Sequence, residues 1–275
     1  MTFVNETTFD KITLPEKVYK YRNWTNPEHK RLLTDNEIFF AAPNKIDEQH
    51  ECNLETDYDS ISLEKIYEFA YSRAEEWGVT DEEIKRNFAE MTVKTTPFFD
   101  EAHRASMEER FRQTLNERLT IFCVSEFNNN TTLWDSFAGG HKGFCVGINT
   151  KKMFDNKEIL GGGGKVNYYP PKEMPKRNAL TFSSLESIDD MLKVIFSLPD
   201  FFSSENEYRL FKMDIKDRQA KISQESIEEI ILGTYILKKD KDQIIAVSKE
   251  KFPHAVILQA KFNISNNSFD FEKID

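Results

Sequence analysis

Glycine and proline are sparse, 10 and 9 residues in 275, and neither dominates any stretch, which excludes collagen-like, low-complexity and linker-built architectures. Cysteine is sparser still. Cys52, Cys123 and Cys145 are odd in number, and the last two lie in apolar, strand-like surroundings, so reduced core thiols are expected in place of a disulfide or ligand role. No apolar run approaches the roughly 20 residues of a membrane helix. The opening Met1-Thr2-Phe3-Val4-Asn5-Glu6 has neither the basic nor the apolar region of a secretory signal, so a cytoplasmic protein with no membrane partner is expected. Positive charge is also in deficit. With 37 Lys and Arg against 47 Asp and Glu, the net charge is -10, which argues against an extended nucleic-acid face, because neutralising phosphates takes a basic stripe. A local basic pocket stays compatible with this balance.

Aromatic residues are plentiful, with 23 Phe, 9 Tyr and 3 Trp, enough for the core of a folded globular chain. Val18 to Arg22 alternates as a strand does, with Tyr19 and Tyr21 on one face and Lys20 and Arg22 on the other. Asn26-Pro27-Glu28 is a helix start, with Asn as N-cap and Pro at the first helical position, and a strand follows over Ile38–Ala42. Asn44 to Cys52 is a polar loop dense in potential ligands. If helical, it would set Asp47, His50 and Glu51 on one face, but a second ligand pair at a defined spacing is missing and no metal is expected.

Apolar residues at three- and four-residue spacing predict helices from about Leu63 to Arg118, with a capping box at Thr80-Asp81-Glu82-Glu83 and a last helix from about Pro97. This charged block reads as an insertion that either lids a site or simply packs. Leu119–Glu126 is nearly continuous in apolar residues, a strand buried on both faces that surfaces at Ser125. Thr131–Ala138 reads as a short helix ended by Gly139-Gly140, and Phe144–Ile148 as a strand. Gly161 to Gly164 before Lys165 lacks the Lys-Ser/Thr and following helix of a phosphate loop, so a hairpin connection is expected there. Ser184–Phe196 is amphipathic. Strands near Glu228–Gly233, Val256–Phe262 and Phe269–Phe271, with a helix over Asp240–Lys251, complete a single α+β domain with a mixed, mainly antiparallel sheet and a helical insertion near residues 60–118.

Glu205-Asn206-Glu207-Tyr208-Arg209-Leu210-Phe211 carries two carboxylates two apart into an apolar run. On a strand, Glu205 and Glu207 would project side by side with Tyr208 and Leu210 opposite, a costly pairing unless a ligand uses it. The bland alternative is a solvated strand end.

Eight short motifs in order resemble the bacterial family catalogued as domain of unknown function 2971, over nearly the whole chain from Tyr19. They are Lys20-Tyr21-Arg22, the Asn44–Cys52 loop, Cys123-Val124-Ser125-Glu126, Leu133-Trp134-Asp135-Ser136-Phe137-Ala138, His141-Lys142-Gly143-Phe144-Cys145, Val166-Asn167-Tyr168, Glu205–Arg209 and Ile230-Ile231-Leu232-Gly233. The chain departs from that family where Asn44-Lys45-Ile46-Asp47 replaces Asn-Asp-Pro and where Trp134-Asp135-Ser136-Phe137 replaces Trp-x-x-Tyr. A cation on a first strand, Ser at the end of a middle strand and Glu-x-Glu on a late strand are also similar to the ADP-ribosyltransferase pattern.

That second resemblance implies an NAD-dependent ADP-ribosyltransferase or NAD glycohydrolase. Glu207 would be the catalytic carboxylate, Glu205 the residue meeting an acceptor, Ser125 the strand-end support and Arg22 the dinucleotide clamp. Lys20, Tyr21, Trp134 and His141 are further candidates for binding NAD. The acceptor, protein or nucleic acid, is left open. The resemblance also suggests a defence or toxin role. Two alternatives stand beside it: a metal-dependent nuclease using Asp47, Glu51, Glu205 and Glu207, and a non-catalytic sensor or partner-binding module. For each residue there is a structural reading too. Arg22 could pair with Glu205 or Glu207, Trp134 could anchor the core, and His141 could be a loop histidine.

Overall fold

The alternating stretch Lys17–Arg22 forms a strand, β1, in the middle of the main sheet. The computed structural model describes residues 15–46, 50–154, 162–181, 188–214 and 216–274. After β1 come α1 (Pro27–Thr34), whose Asn26 cap accepts the Glu28 N–H, β2 (Glu37–Phe39), β3 (Thr56–Asp57) and the helices α2 (Leu63–Glu76), α3 (Glu82–Thr95) and α4 (Glu101–Arg118). The middle of the chain gives β4 (Leu119–Ser125), α5 (Thr131–Ser136), β5 (Phe144–Asn149), α6 (Thr150–Phe154), β6 (Gly162–Lys165), β7 (Asn167–Tyr169) and β8 (Arg177–Asn178). The last part gives α7 (Ile188–Phe196), β9 (Ser197–Pro199), β10 (Glu207–Met213), β11 (Gln219–Lys221), β12 (Ile227–Leu232), α8 (Lys238–Lys251), β13 (Val256–Asn263) and β14 (Ser268–Lys273).

The fold is α+β, as expected. Eight strands form one sheet in the order β14-β13-β12-β5-β1-β4-β10-β6, and every neighbouring pair is antiparallel except β12 and β13, which the α8 crossover makes parallel. The pleat sends Val18, Phe122, Val124, Val146, Leu210 and Ile230 to one face, where Leu32 and Leu33 of α1 and Ile244 of α8 cover them. The other face carries two separate clusters: Tyr21, Cys145 and Ile231 under Trp134, and Ile121 and Phe211 under Phe111, Leu115 and Phe196 of α4 and α7. Each such side chain contributes about 1.5–3 kcal/mol when fully buried, so these clusters rather than ladder bonds dominate the stability.

Pairing along the sheet is uneven, and that unevenness positions the site. β1 pairs with β5 from Lys17↔Asn149 to Arg22↔Phe144, and β4 pairs with β10 over its whole length, but β1 and β4 pair only at Tyr19↔Ser125. Ala41, beyond β2, takes the other end of β4 by exchanging both main-chain hydrogen bonds with Ile121 at 2.8 Å. Between these ties the sheet splits. Alternate residues of a strand present their main-chain groups to the same side, so the Cys123 carbonyl faces the gap as those of Ile121 and Ser125 do. The Lys20 Nζ crosses the split to bond it.

Several sequence expectations need correction. Gly162–Lys165 is an edge strand of the main sheet, not a hairpin connection, because a bare backbone lets it lie on β10: a Cβ on Gly162 would stand 2.3 Å from the Phe211 ring. The N-cap of α3 is Asp81, which accepts from the N–H groups of Glu83 and Ile84, so the helix starts one residue later than the box at Thr80 implies, and Ile84 at N3 cannot return the bond. The last insertion helix begins at Glu101 with Asp100 as cap, since Pro97 and the residues after it form a turn. Glu205 is not on a strand with Glu207. It ends a 3-10 turn over Asp200–Glu205, and Asn206, left-handed at φ 47°, separates it from β10. Asp47 and Ser184 lie outside the described residues.

Candidate functional site

A cleft of about 320 Å³ opens where β1 and β4 part. Strand β1 contributes Lys20, Tyr21 and Arg22, β4 contributes Cys123, Val124 and Ser125, and β10 contributes Glu207 at its first residue. Glu205 comes from the 3-10 turn, Glu51 from the loop before β3, and His29 from α1. Arg22, Ser125 and Glu207 thus line one cleft although more than 80 residues separate each from the next. No residue between 60 and 118 is in its wall, so the helical block does not lid it.

The acidic wall is built around Arg209, a residue to which the sequence reading gave no role. Arg209 has no exposed surface. Its Nε donates to Glu207 Oε1 at 2.8 Å, its Nη2 to Glu207 Oε2 at 3.0 Å and to Glu51 Oε1 at 2.9 Å, and its Nη1 to the Ile195 carbonyl at 2.6 Å. Burial alone would lower the Arg209 pKa, but the two carboxylates outweigh it and hold the pKa well above the usual arginine range. The signal was in the sequence: the two-residue period that suggested Glu205 beside Glu207 puts Glu207 beside Arg209 on the same strand face. The fork occupies one lone pair on each Glu207 oxygen and fixes the carboxylate, whose remaining 7 % exposure is toward the cleft.

Ser125 supports this wall from beneath. Its buried Oγ donates to the Glu205 carbonyl at 3.0 Å, anchoring the turn that delivers Glu207. Tyr168 Oη accepts the Glu207 N–H at 2.9 Å on the other side.

The cationic wall is different. Lys20 rests over the Phe122 ring at 4.8 Å, and its pKa is pushed down from 10.5 to about 7, first by burial and then by Arg22, with Glu207 and Glu205 pulling the other way. Burial brings Arg22 down to about 10. Among the described residues its guanidinium has no hydrogen-bond or ion-pair partner, so it pairs with neither Glu205 nor Glu207. Burial, Arg22 and Lys20 lower His29 to about 4, which leaves it neutral at pH 7. Its Nδ1 accepts the Asn23 N–H at 3.2 Å, so its proton sits on Nε2.

Three NAD-binding candidates are engaged elsewhere. Tyr21 borders the cleft, but its hydroxyl donates to the Phe127 carbonyl at 2.6 Å and accepts from the Asn130 N–H at 3.2 Å, so it pins the loop before α5. Trp134 is not a stacking platform. It is wholly buried, edge-on to Tyr21 at 5.2 Å, with Nε1 donating to the Asn128 carbonyl at 2.9 Å. His141 is buried too, stacked on Trp134 and Phe269, with Nε2 3.0 Å from Asp135. Both miss the cleft: the buried side of α5 sets Trp134 on the sheet face, and the turn after it, left-handed from Gly139 through His141, lays the His141 ring on Trp134.

Among the described residues no three His, Cys, Asp or Glu side chains stand together as a metal would need, and Glu51 and Glu207 are both tied to the Arg209 guanidinium. Cys52, Cys123 and Cys145 are free thiols. Among the described residues no helix is long and apolar enough to cross a membrane. No family model, curated protein or solved structure matches the chain, so the chemistry of the cleft has to be read from its own residues.

Proposed function

We propose that the cleft takes NAD and that the protein is an NAD-dependent ADP-ribosyltransferase or NAD glycohydrolase. The observation that supports this most is the convergence of Arg22, Ser125 and Glu207, from three strands, on one cleft. Arg22 and Lys20 offer the diphosphate a partly desolvated positive wall, where charge-assisted hydrogen bonds are at their strongest. Glu207, oriented by Arg209, keeps a lone pair on each oxygen for a ribose hydroxyl and stabilises the oxocarbenium-like charge as the glycosidic bond breaks. Nicotinamide leaves with the bonding electron pair. The acceptor, water or a nucleophilic side chain, attacks the ribose carbon and loses a proton to Glu205, which lines the same wall.

Purified protein incubated with labelled NAD should release nicotinamide, and Glu207→Gln should abolish release while circular dichroism reports a folded chain. Wild-type turnover in that variant would overturn the assignment. Arg22→Gln provides a second variant that leaves the buried Arg209 network untouched. One observation favours a second reading, a non-catalytic dinucleotide sensor: Glu207 is already engaged by Arg209. Thermal stabilisation by NAD without its consumption would select that reading.

A further inference from the structure

Arg22 lines a second cavity. On the α1 side of β1, a slot of about 220 Å³ is walled by Leu32, Ile38 and Phe122, has Glu28 and Glu37 at its edge, and shares Arg22, His29 and Phe39 with the cleft. The two cavities therefore meet at a guanidinium with no partner among the described residues, a neutral imidazole bearing an Nε2 proton, and a phenyl ring that is 47 % exposed. Whole small-molecule sites run to roughly 300–1,000 Å³. The slot alone falls below that range, and together the two cavities fall within it.

We propose that the slot is the purine subsite of a bipartite ligand, with the phosphates lying over Arg22 and the second nucleoside in the larger cleft. This rests on the dinucleotide reading above and deepens it. The walls are apolar, as a heteroaromatic ring requires, and Phe39 stands at the junction where a ring edge would pass. Arg31 pairs with both Glu37, at 2.8 Å, and Glu28, at 4.0 Å, so the open cation for the phosphates is Arg22, where the two cavities meet, and the apolar interior of the slot is left to the base. Glu37, whose Oε2 takes the Arg31 Nη2 at 2.8 Å, sets a carboxylate where an exocyclic amino group could donate, which favours adenine over a purine lacking that group.

Calorimetric titrations of adenosine and of nicotinamide mononucleotide, each alone and with the other saturating, test the assignment. The expected result is simultaneous binding, with neither weakening the other. Ile38→Phe, which fills the slot, should weaken adenosine at least tenfold and leave nicotinamide mononucleotide unchanged. If Ile38→Phe does not fold, the wild-type competition experiment still decides. Mutual competition, or loss of the mononucleotide with adenosine retained, would overturn the subsite. Nicotinamide release from NAD alongside such competition would sink the subsite and leave the activity standing. Side-by-side binding without release would do the reverse, and absence of binding by either would overturn both.

Discussion

Arg209 and Arg22 lie on the same sheet with their charges withdrawn from water, and their surroundings are opposite. Arg209 is wholly buried, with Glu207, Glu51 and the Ile195 carbonyl around its guanidinium. Arg22, at the split between β1 and β4, has no partner among the described residues. A buried cation costs several kcal/mol unless it is paired. The first arginine meets that cost within the fold, as Arg177 does with Glu108 and the Phe111 ring in the helical block. Arg22 does not among the described residues, and in the proposed reading an anionic ligand supplies the partner. A paired charge marks architecture and an unpaired one marks a site.

The largest effect should come from breaking the paired arginine. Arg209→Met removes the guanidinium that the buried Glu207 and Glu51 share, and urea unfolding should report a loss of about 3–5 kcal/mol. Arg22→Met, in the same assay, should leave stability unchanged or raise it. Equal losses in the two variants would break the contrast between them. Glu51→Gln, which removes one of the two carboxylates but not the fork to Glu207, should cost less, about 1.5–3 kcal/mol.

The same contrast explains what the sequence could reveal. Strands with one strong period, such as Lys17–Arg22 and Leu119–Ser125, were legible because their alternation or continuity follows directly from which faces are buried. Local chemistry was legible too, as with the Asn26 cap. What could not be read was the end of a strand. A period of two assigns Glu205 and Glu207 to one face only if the strand extends through both, and a single left-handed residue, Asn206, ends it between them. Pairing across the sheet was equally out of reach. Nothing local says that β1 and β4 meet at one residue pair and part thereafter, and that parting makes the cleft. For Trp134 and His141 the sequence allowed both a ligand-binding and a packing role, and only the packing of their rings against Tyr21 and Phe269 across the sheet shows them buried.

On the binding side, Arg22→Gln should weaken NAD about 10- to 100-fold in calorimetry, the worth of one or two charge-assisted hydrogen bonds, with no change in unfolding midpoint. A parallel loss of stability would mean that Arg22 has a structural partner and that the contrast with Arg209 is false.

Lys20 gives the smallest effect and the finest test, because its charge depends on pH. Its folded-state pKa is about 7 against 10.5. Between those values the unfolded chain holds a proton that the folded chain lacks, so this group makes stability rise with pH from about 7 upward. His29, lowered to about 4, acts in the same direction but completes its rise below Lys20's window. The buried thiols Cys123 and Cys145, raised by burial, act oppositely once an unfolded thiol ionises near pH 8.5. The interval from pH 7 to 8.5 therefore isolates Lys20. Wild type should gain about 1 kcal/mol across it relative to Lys20→Met, a figure reduced for the lysine's partial exposure. Binding should run the other way. An anion over Arg22 and Lys20 favours the charged lysine, so NAD affinity should fall about tenfold across the same interval, with proton uptake on binding. A pH-independent affinity in wild type, or the same fall in Lys20→Met, would remove Lys20 from the anion's wall and leave Arg22 there alone.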